Sequence, residues 1–259
     1  MKMESIHVDK ETLIFTADIE DWYANLLRRC ILREVPTLAI EDIEFKKNDS
    51  SLYDEIIAHR LGLMPLTTPL RDYNFKETCA CKGAGCSHCT VKLTLKEKGP
   101  KMVYAKHMKS ADPKVNPVFE DTPIVKLGKE QKIEFEAVAV LGNGKEHAKW
   151  SPGHCFYKYA PEIKITGVKN PEEIVKACPK NIFKIEGNKL IIVEKKIIDC
   201  HLCNACVEAG KGTVAINEDK DKIIFYLESF GQMKCKDILL NAIQTFEDKL
   251  DELQKLVKT

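Results

Sequence analysis

One segment of the chain decides its fold: residues 25–40, which read NLLRRCILREVPTLAI. Asp21 stands before it as a helix cap, and apolar residues then recur at the three- and four-residue steps of one helix face. Pro36 ends that helix because proline lacks the N–H that the next turn needs. From Leu38 to Phe45 apolar side chains alternate with acidic ones. The segment therefore predicts a helix followed by a half-buried strand.

Further strands and helices are predicted on both sides of this segment. Ser51 and Asp54 are spaced as a capping pair for a short helix, and a second short helix is predicted from Pro171 to Ala177. Strands are predicted from apolar or alternating runs at 12–17, 91–95, 102–107, 133–140, 162–166 and 223–227, and a hairpin from the runs 182–185 and 190–193.

The end of the sequence contains the clearest helical pattern. Apolar residues recur there at alternating steps of four and three, with charged residues between them. This terminal stripe consists of Leu239, Ile243, Phe246, Leu250, Leu253 and Val257. A stripe this narrow predicts a helix that packs on one facing surface, either the core of the chain or a partner.

Composition excludes several classes of protein. The 259 residues are 44% hydrophobic and 31% charged, which is the balance of a globular chain with two or three compact units. Lys and Arg number 40 against 39 Asp and Glu, so no autonomous nucleic-acid binding is expected. No apolar run reaches the length of a bilayer span, and Met1 to Lys10 lacks the apolar centre of a secretory signal. We expect a cytoplasmic protein without membrane association.

The later of two cysteine clusters has the spacing of an iron–sulfur site. Cys200, Cys203 and Cys206 follow at three-residue steps, as in ferredoxin-type loops, and Gly210 stands where a fourth cysteine would follow. Cys178 precedes a proline, like the ligand that one half of a two-cluster ferredoxin supplies to the other half. We predict one [4Fe–4S] cluster on Cys178, Cys200, Cys203 and Cys206. A zinc ion or a three-iron cluster on the same thiols is the alternative.

The earlier cluster is denser. Cys79, Cys81, Cys86 and Cys89 stand close together in sequence, with two glycines that allow the chain to fold back. In a cytoplasmic chain such a group predicts metal ligands rather than disulfides, and four thiolates suit a closed, tetrahedral, structural zinc site. His88 is an alternative ligand for one sulfur, and free thiols on a loop are the alternative without metal.

The sequence contains no recognised catalytic constellation. Gly142-Asn143-Gly144 is interpreted as a hairpin-type turn and not as a phosphate loop, and no aspartate cluster is spaced to hold magnesium for nucleotidyl transfer. Three cysteines outside both clusters, Cys30, Cys155 and Cys235, are interpreted as core or incidental residues. We expect no catalytic residues on this chain.

The segment that decides the fold also carries a family resemblance. Its Asn25, the Leu-Arg-Arg that follows, and Pro36 with Ala39 and Ile40 resemble the motif of the RNA polymerase α/D family, which has bacterial, archaeal and eukaryotic branches. Blocks at 54–66, 145–152 and 228–231 are similar to further blocks of the family and occur in the same order. The four blocks span nearly the whole chain, and the ferredoxin-like insertion points to the archaeal branch.

This resemblance implies an α+β fold with a discontinuous dimerisation domain, formed by residues 1–47 and 213–259. It is interrupted by a mostly β insert domain, residues 48–167, which carries the zinc loop 79–89. A ferredoxin-like iron–sulfur domain follows at 168–212. The resemblance thus predicts three domains.

The resemblance also implies a non-catalytic assembly subunit of DNA-directed RNA polymerase. It implies a heterodimer with the smaller subunit L, onto which subunits N and P and then the large catalytic subunits assemble. The expected partner surface combines the terminal stripe with Tyr23, Leu26, Leu27, Arg28, Arg29 and Ile31. The alternative is that the apolar residues are ordinary internal core and that the two arginines are solvated.

One competing hypothesis comes from a different class of protein. A ferredoxin-like electron-transfer subunit of an oxidoreductase would account for the cysteine spacing between 178 and 206 but leaves residues 25–40 unexplained. Under the leading hypothesis the cluster is structural or redox-responsive.

Overall fold

The computed structural model describes residues 3–168, 170–187 and 189–258, and these form twelve β-strands and five α-helices. The strands are β1 (Met3–Val8), β2 (Thr12–Ala17), β3 (Pro36–Asn48), β4 (Thr90–Lys98), β5 (Lys101–Tyr104), β6 (Lys109–Ser110), β7 (Pro123–Leu127), β8 (Lys132–Asn143), β9 (Gly153–Ile165), β10 (Phe183–Glu186), β11 (Lys189–Ile192) and β12 (Val214–Ser229). The helices are α1 (Asp21–Arg33), α2 (Asp54–Gly62), α3 (Pro171–Ala177), α4 (Ala205–Gly210) and α5 (Cys235–Lys258). The mixture of helices and strands predicted from the sequence is confirmed.

The chain divides into two compact units. The smaller unit comprises β1 together with Ile14–Leu26 and Phe156–Tyr226. The larger unit comprises Asp9–Leu13, Leu27–Cys155 and Leu227–Thr259. This division does not test the boundaries of the three predicted domains, which stay a prediction.

The larger unit contains a four-stranded antiparallel sheet in the order β3-β8-β4-β6. Its central strand β8 alternates between two environments. Ile133 and Phe135 are buried, whereas Glu134 between them forms an ion pair with Lys96 of β4 at 2.9 Å. One face of the sheet therefore packs on the core, and the other face is open to water around Glu134.

Helix α2 packs against β3 and β7 and completes that core. Its Ile57 and Leu61 are fully buried, in one cluster with residues of β4 and β8. The predicted capping pair is wrong, because α2 begins after Tyr53 without a side-chain cap. The Asp54 carboxylate instead accepts a hydrogen bond from Asn48 Nδ2 at 2.7 Å, which ties the helix start to the end of β3.

A second four-stranded sheet has the order β1-β2-β12-β9. In the smaller unit Phe15 of β2 stacks on Phe225 of β12, with ring centroids 5.1 Å apart. The predicted hairpin is present as β10 and β11, in which Ile185 lies opposite Leu190. Apolar residues of this hairpin, α3 and α4 form a hydrophobic cluster separate from that around α2, and it includes Cys178, Cys200 and Cys206.

The segment around α1 folds as predicted. The helix starts at Asp21, ends at Arg33, and is followed by β3 from Pro36. The interpretation of Gly142-Asn143-Gly144 as a hairpin-type turn is wrong, because β8 pairs with β3 and β4 while β9 belongs to the other sheet. The predicted terminal helix is present as α5.

Candidate metal centres and partner surfaces

Four cysteines of the larger unit converge between the short helical turn Leu70–Asp72 and β4. The Sγ atoms of Cys79, Cys81, Cys86 and Cys89 all lie within 4.8 Å of one another. The sulfur–sulfur distance is 3.6 Å for Cys79 and Cys86, 3.6 Å for Cys81 and Cys89, and 3.8 Å for Cys86 and Cys89. The structure thus brings together all four residues whose spacing predicted a metal site.

These distances fit a single tetrahedral ion. Metal–sulfur bonds of about 2.3 Å place the ligand sulfurs of a tetrahedral site about 3.8 Å apart. A disulfide would need about 2.05 Å, and all four thiols are free. His88 is exposed and is not part of the group, so the donor set consists of four sulfurs. This cysteine group could hold a metal ion.

The backbone of the loop explains why the four sulfurs meet. Gly83 and Gly85 have φ of 83° and 84°, a left-handed conformation that glycine adopts without steric cost. The amide of Cys89 donates to the Cys86 carbonyl at 3.0 Å, and the amide of Cys86 donates to Cys89 Sγ at 3.3 Å. Such turns point successive thiols inward, as predicted from the two glycines.

The thiols of this group influence one another electrostatically. Burial acts to raise the pKa of Cys81, but hydrogen bonds from Cys79 and Cys89 outweigh it and hold that pKa at about 6. Burial raises the pKa of Cys89 to about 12. Metal ligation requires the thiolate form, which the lowered pKa favours at Cys81 and the raised pKa opposes at Cys89.

The second cysteine group lies in the smaller unit. Cys178 follows α3, Cys206 lies on α4, and Cys200 and Cys203 lie in the segment before α4. All four line one small pocket, and Cys203 alone among them is exposed. Burial is the largest cause that raises the pKa of Cys206 to about 11. The charges of Cys178 and Cys200 raise it further, because these thiols lie near Cys206. Within the described residues, only the earlier group meets the 4.8 Å spacing of a single ion.

Two residues that hold the loop before Cys200 have no recognisable signal in the sequence. Lys158 of β9 donates hydrogen bonds to the carbonyl oxygens of Ile198 and Cys200, the latter at 2.7 Å. The Tyr226 hydroxyl of β12 also donates to the Ile198 carbonyl, at 2.6 Å, and the Lys158 ammonium lies 5.1 Å from the Tyr226 ring centroid. Burial lowers the pKa of Lys158, and the neighbouring Cys200 opposes that effect.

The terminal helix buries a different face from the predicted stripe. Its first turns are anchored by Cys235, Ile238 and Ala242, which are fully buried. Of the predicted stripe, Leu239, Ile243 and Phe246 are half-buried, and Leu250, Leu253 and Val257 are exposed. Lys249 is tied to Glu34 by an ion pair at 2.6 Å. The last three residues of the stripe are therefore not covered by the larger unit's own core, whereas the first three are partly covered.

The predicted residues of α1 separate into two groups. Leu27 and Ile31 are buried inside the chain, with 9% and 0% of their surface exposed. Tyr23, Leu26 and Arg28 are half-buried, and Arg29 is exposed. Among the predicted residues of α1, only this second group is accessible to another molecule.

The cysteines outside both groups are core residues. Cys30, Cys155 and Cys235 are buried, and burial raises the pKa of Cys155 to about 12. The Cys235 thiol donates to the Glu11 carbonyl at 3.0 Å, which fixes the start of α5. The core interpretation of these three residues is confirmed. Separately, none of the helices in the described ranges combines the length and the apolar character needed to cross a bilayer.

Comparisons with known proteins find one family model and several relatives that match this chain. Residues 41–153, which include the four-cysteine loop, match the family described as the RNA polymerase Rpb3/RpoA insert domain. The DNA-directed RNA polymerase subunit Rpo3 of Methanosphaera stadtmanae is 39% identical, over 99% of this chain and 98% of the relative. The subunit of the same name from Methanothermobacter thermautotrophicus is 38% identical over 95% and 94%, and that from Pyrococcus horikoshii is 37% identical over 90% of each chain.

Proposed function

Because this chain belongs to the family of archaeal DNA-directed RNA polymerase subunit Rpo3, we propose that it is the non-catalytic platform on which a cytoplasmic polymerase assembles. The observation that carries this proposal is the extent of the likeness. It covers almost the full length of chain and relative, including both cysteine groups and the terminal helix, and not the insert domain alone. Such a chain contributes surfaces for other subunits and leaves nucleotidyl transfer to the large subunits.

The first partner is the smaller subunit L, which covers α5. Leu250, Leu253, Leu256 and Val257 are 48%, 56%, 73% and 78% exposed, along one stretch of the last turns of the helix. Contiguous apolar side chains of this size mark an interface, because burying each of them is favourable by about 1.5–3 kcal/mol. Tyr23 and Leu26, which are half-buried on α1, are proposed as further contacts with subunit L. Leu27 and Ile31 are buried, so they would hold α1 in place from inside the chain and would not contact the partner.

The charged residues Arg28 and Arg29 suit the attachment of a further subunit. A guanidinium presents several donors in a planar fork, which pairs well with carboxylates across an interface. Subunits N and P and then the large catalytic subunits would add to the heterodimer. The proposed domains keep the predicted boundaries: 1–47 with 213–259, 48–167, and 168–212.

Zinc is the metal proposed for Cys79, Cys81, Cys86 and Cys89. Support comes from the all-sulfur donor set and from sulfur–sulfur distances of 3.6 to 3.8 Å. With all four positions taken by protein ligands, no position is open for water or substrate, so the role is structural. The ion would hold the loop 79–89 against the start of β4.

A [4Fe–4S] cluster is proposed for Cys178, Cys200, Cys203 and Cys206. Support comes from the ferredoxin-type spacing of Cys200, Cys203 and Cys206 and from the small pocket that all four cysteines line. The exposed Cys203 would place one edge of the cluster near solvent, where oxidants can reach it. The cluster would stabilise the third domain and make that domain responsive to redox conditions.

One preparation tests these proposals together. The chain is co-expressed with subunit L and purified without oxygen. We expect a stable heterodimer that is brown and carries about four irons and about one zinc per chain. Failure of the two chains to co-purify would refute the assembly role, and a colourless heterodimer that contains only zinc would refute the iron–sulfur cluster while leaving the assembly role intact.

A further inference from the structure

The four clustered cysteines of the smaller unit lie around a small pocket whose other walls are mainly apolar. Ile163, Ile182, Phe183 and Ile216 line it, and Ile182 and Phe183 are almost fully buried. Four thiolates outweigh the positive charge of an iron–sulfur core, so the proposed cluster with its ligands is net negative. Apolar walls do not stabilise such a charge. The cations held near the cysteines therefore influence how readily an additional electron is accepted.

Lys158 is a half-buried cation beside the first cysteine of the three-cysteine run. Its ammonium donates hydrogen bonds to the Ile198 carbonyl and, at 2.7 Å, to the Cys200 carbonyl. Because four covalent bonds join that oxygen to the sulfur of the same residue, the ammonium lies within roughly 8 Å of Cys200 Sγ. Salt screens exposed charges over about the same distance, but it screens partly buried charges much less. The lysine charge therefore acts on this thiolate.

Tyr226 keeps the ammonium in this place. Its ring centroid lies 5.1 Å from Lys158 Nζ, and its hydroxyl donates to the Ile198 carbonyl at 2.6 Å. A cation is attracted to the face of an aromatic ring. The Tyr226 ring is itself stacked on Phe156, with centroids 4.5 Å apart. Two carbonyl oxygens and one ring thus hold a side chain that would otherwise be flexible.

Other charges near the pocket are more open to solvent. Lys180 and His201 also line the pocket, and both are exposed. Asp199, whose charge acts on Lys158, is exposed as well. Water and salt weaken the effect of exposed charges on their neighbours. Of these four residues Lys158 alone is half-buried, so its charge is the one that acts most strongly on the cysteines.

We infer that Lys158 is a positioning residue that sets the reduction potential of the proposed iron–sulfur cluster, because its charge favours the more negative, reduced state. The inference rests on the proposed function in one respect, the cluster on Cys178, Cys200, Cys203 and Cys206, and does not depend on subunit L. Reduction passes one electron from an external reductant such as dithionite to the iron atoms. No bond forms or breaks, no proton moves, and all four thiolates stay in place.

The test is anaerobic redox potentiometry of the full chain with its cluster, in which the paramagnetic signal of the reduced state is measured at one pH. Lys158→Gln removes the charge but keeps an N–H donor for the loop, whereas Lys158→Arg keeps the charge. We expect Lys158→Gln to shift the one-electron equilibrium toward the oxidised state at least about fivefold, which lowers the potential by about 41 mV. Lys158→Arg should restore most of this shift.

Lys180→Gln is the matched comparison, because it removes a lysine charge that lines the same pocket but is exposed. It should shift the potential clearly less than Lys158→Gln does. An equal or larger shift for Lys180→Gln would overturn the inference. So would equal potentials for Lys158→Gln and the wild-type chain, or a shift in Lys158→Arg as large as that in Lys158→Gln.

The remaining outcomes separate this inference from the proposed function. A wild-type chain that binds no iron refutes the proposed cluster, and this inference with it. Failure to bind subunit L refutes the assembly role and leaves this inference standing. If Lys158→Gln is isolated without iron, a loaded Lys158→Arg supports the role of the charge, and an equally empty Lys158→Arg overturns it.

Discussion

The Lys158 ammonium donates a hydrogen bond to the backbone carbonyl of Cys200 across 2.7 Å, although 42 residues separate the two in sequence. Lys158 lies on β9, and Cys200 begins the three-cysteine run. The loop that would hold the cluster is therefore fastened to a strand of the smaller unit's sheet. Tyr226 fastens the same loop from the neighbouring strand β12, through the Ile198 carbonyl.

Lys158→Met should loosen this loop. It removes two charge-assisted hydrogen bonds, each worth about 1.5–3 kcal/mol. The Cys200 carbonyl loses its Lys158 donor, whereas the Ile198 carbonyl keeps the Tyr226 hydroxyl. We expect iron to be released to a chelator several times faster than from the wild-type chain, measured by absorbance under anaerobic conditions. Lys164→Met on the same strand is the control, because Lys164 is exposed and pairs with Glu162. Equal release rates for the Lys158 and Lys164 variants would contradict the fastening role.

Cys89→Ser should empty the proposed zinc site. Cys89 is fully buried and its Sγ lies 3.6 Å from Cys81 Sγ and 3.8 Å from Cys86 Sγ, so no other side chain in the group can replace it. Zinc content, measured by mass spectrometry of the purified chain, should fall from about one per chain to near zero. Cys30→Ala is the matched control, because Cys30 is a buried cysteine outside the group, and it should keep its zinc. Retention of zinc by Cys89→Ser would show that the ion is bound elsewhere.

Tyr73→Phe should change the acid stability of the larger unit. The Tyr73 hydroxyl donates to Asp112 Oδ2 at 2.5 Å, and this hydrogen bond, followed by one from the Lys114 amide, lowers the pKa of Asp112. Because the folded pKa lies below the unfolded one, the stabilisation is fully present above the ordinary aspartate value of about 3.9 and is lost as the pH falls through the lowered value.

The measurement is the free energy of unfolding by urea, determined for the wild-type protein and for Tyr73→Phe across this acidic range. Protonation of the four thiols in the proposed zinc site would affect both proteins alike, so the quantity that matters is the difference between their unfolding free energies. We expect that difference to be largest above the ordinary aspartate pKa and to shrink as the pH falls. A difference that is independent of pH would mean that Asp112 ionisation plays no part.

Leu253→Glu should weaken the heterodimer without unfolding the free chain. Leu253 is 56% exposed, so the glutamate costs little in the isolated chain, but it would bury a charge in the proposed interface. Loss of one buried leucine alone predicts at least about tenfold weaker binding of subunit L, measured by calorimetry. Asp251→Asn, also on the exposed end of α5, is the control. Equal affinities for the two variants would place the interface elsewhere.

The sequence predicted features that depend on neighbouring residues. The four-cysteine site was predictable because its ligands lie within one loop and their spacing limits where the sulfurs can go. The bounds of α1 were predictable because Asp21 and Pro36 mark them directly. The hairpin of β10 and β11 followed from two apolar runs around a short turn.

Features that depend on distant residues were not predictable. Gly144 illustrates this: a Cβ there would lie 2.0 Å from the Leu32 carbonyl oxygen, so the glycine serves a close approach of α1 and not a hairpin. The terminal stripe was read correctly as a periodic pattern, yet the face that packs on the core is Cys235, Ile238 and Ala242. Periodicity alone cannot tell a core-facing stripe from a partner-facing one.

Reconstitution of the polymerase from purified subunits, with and without this chain, tests the assembly role most directly. The measurement is the fraction of the two large subunits that elute as one complex able to synthesise RNA. We expect the large subunits to associate only when this chain and subunit L are present together. Formation of an equally large, equally active complex without this chain would contradict the assembly role.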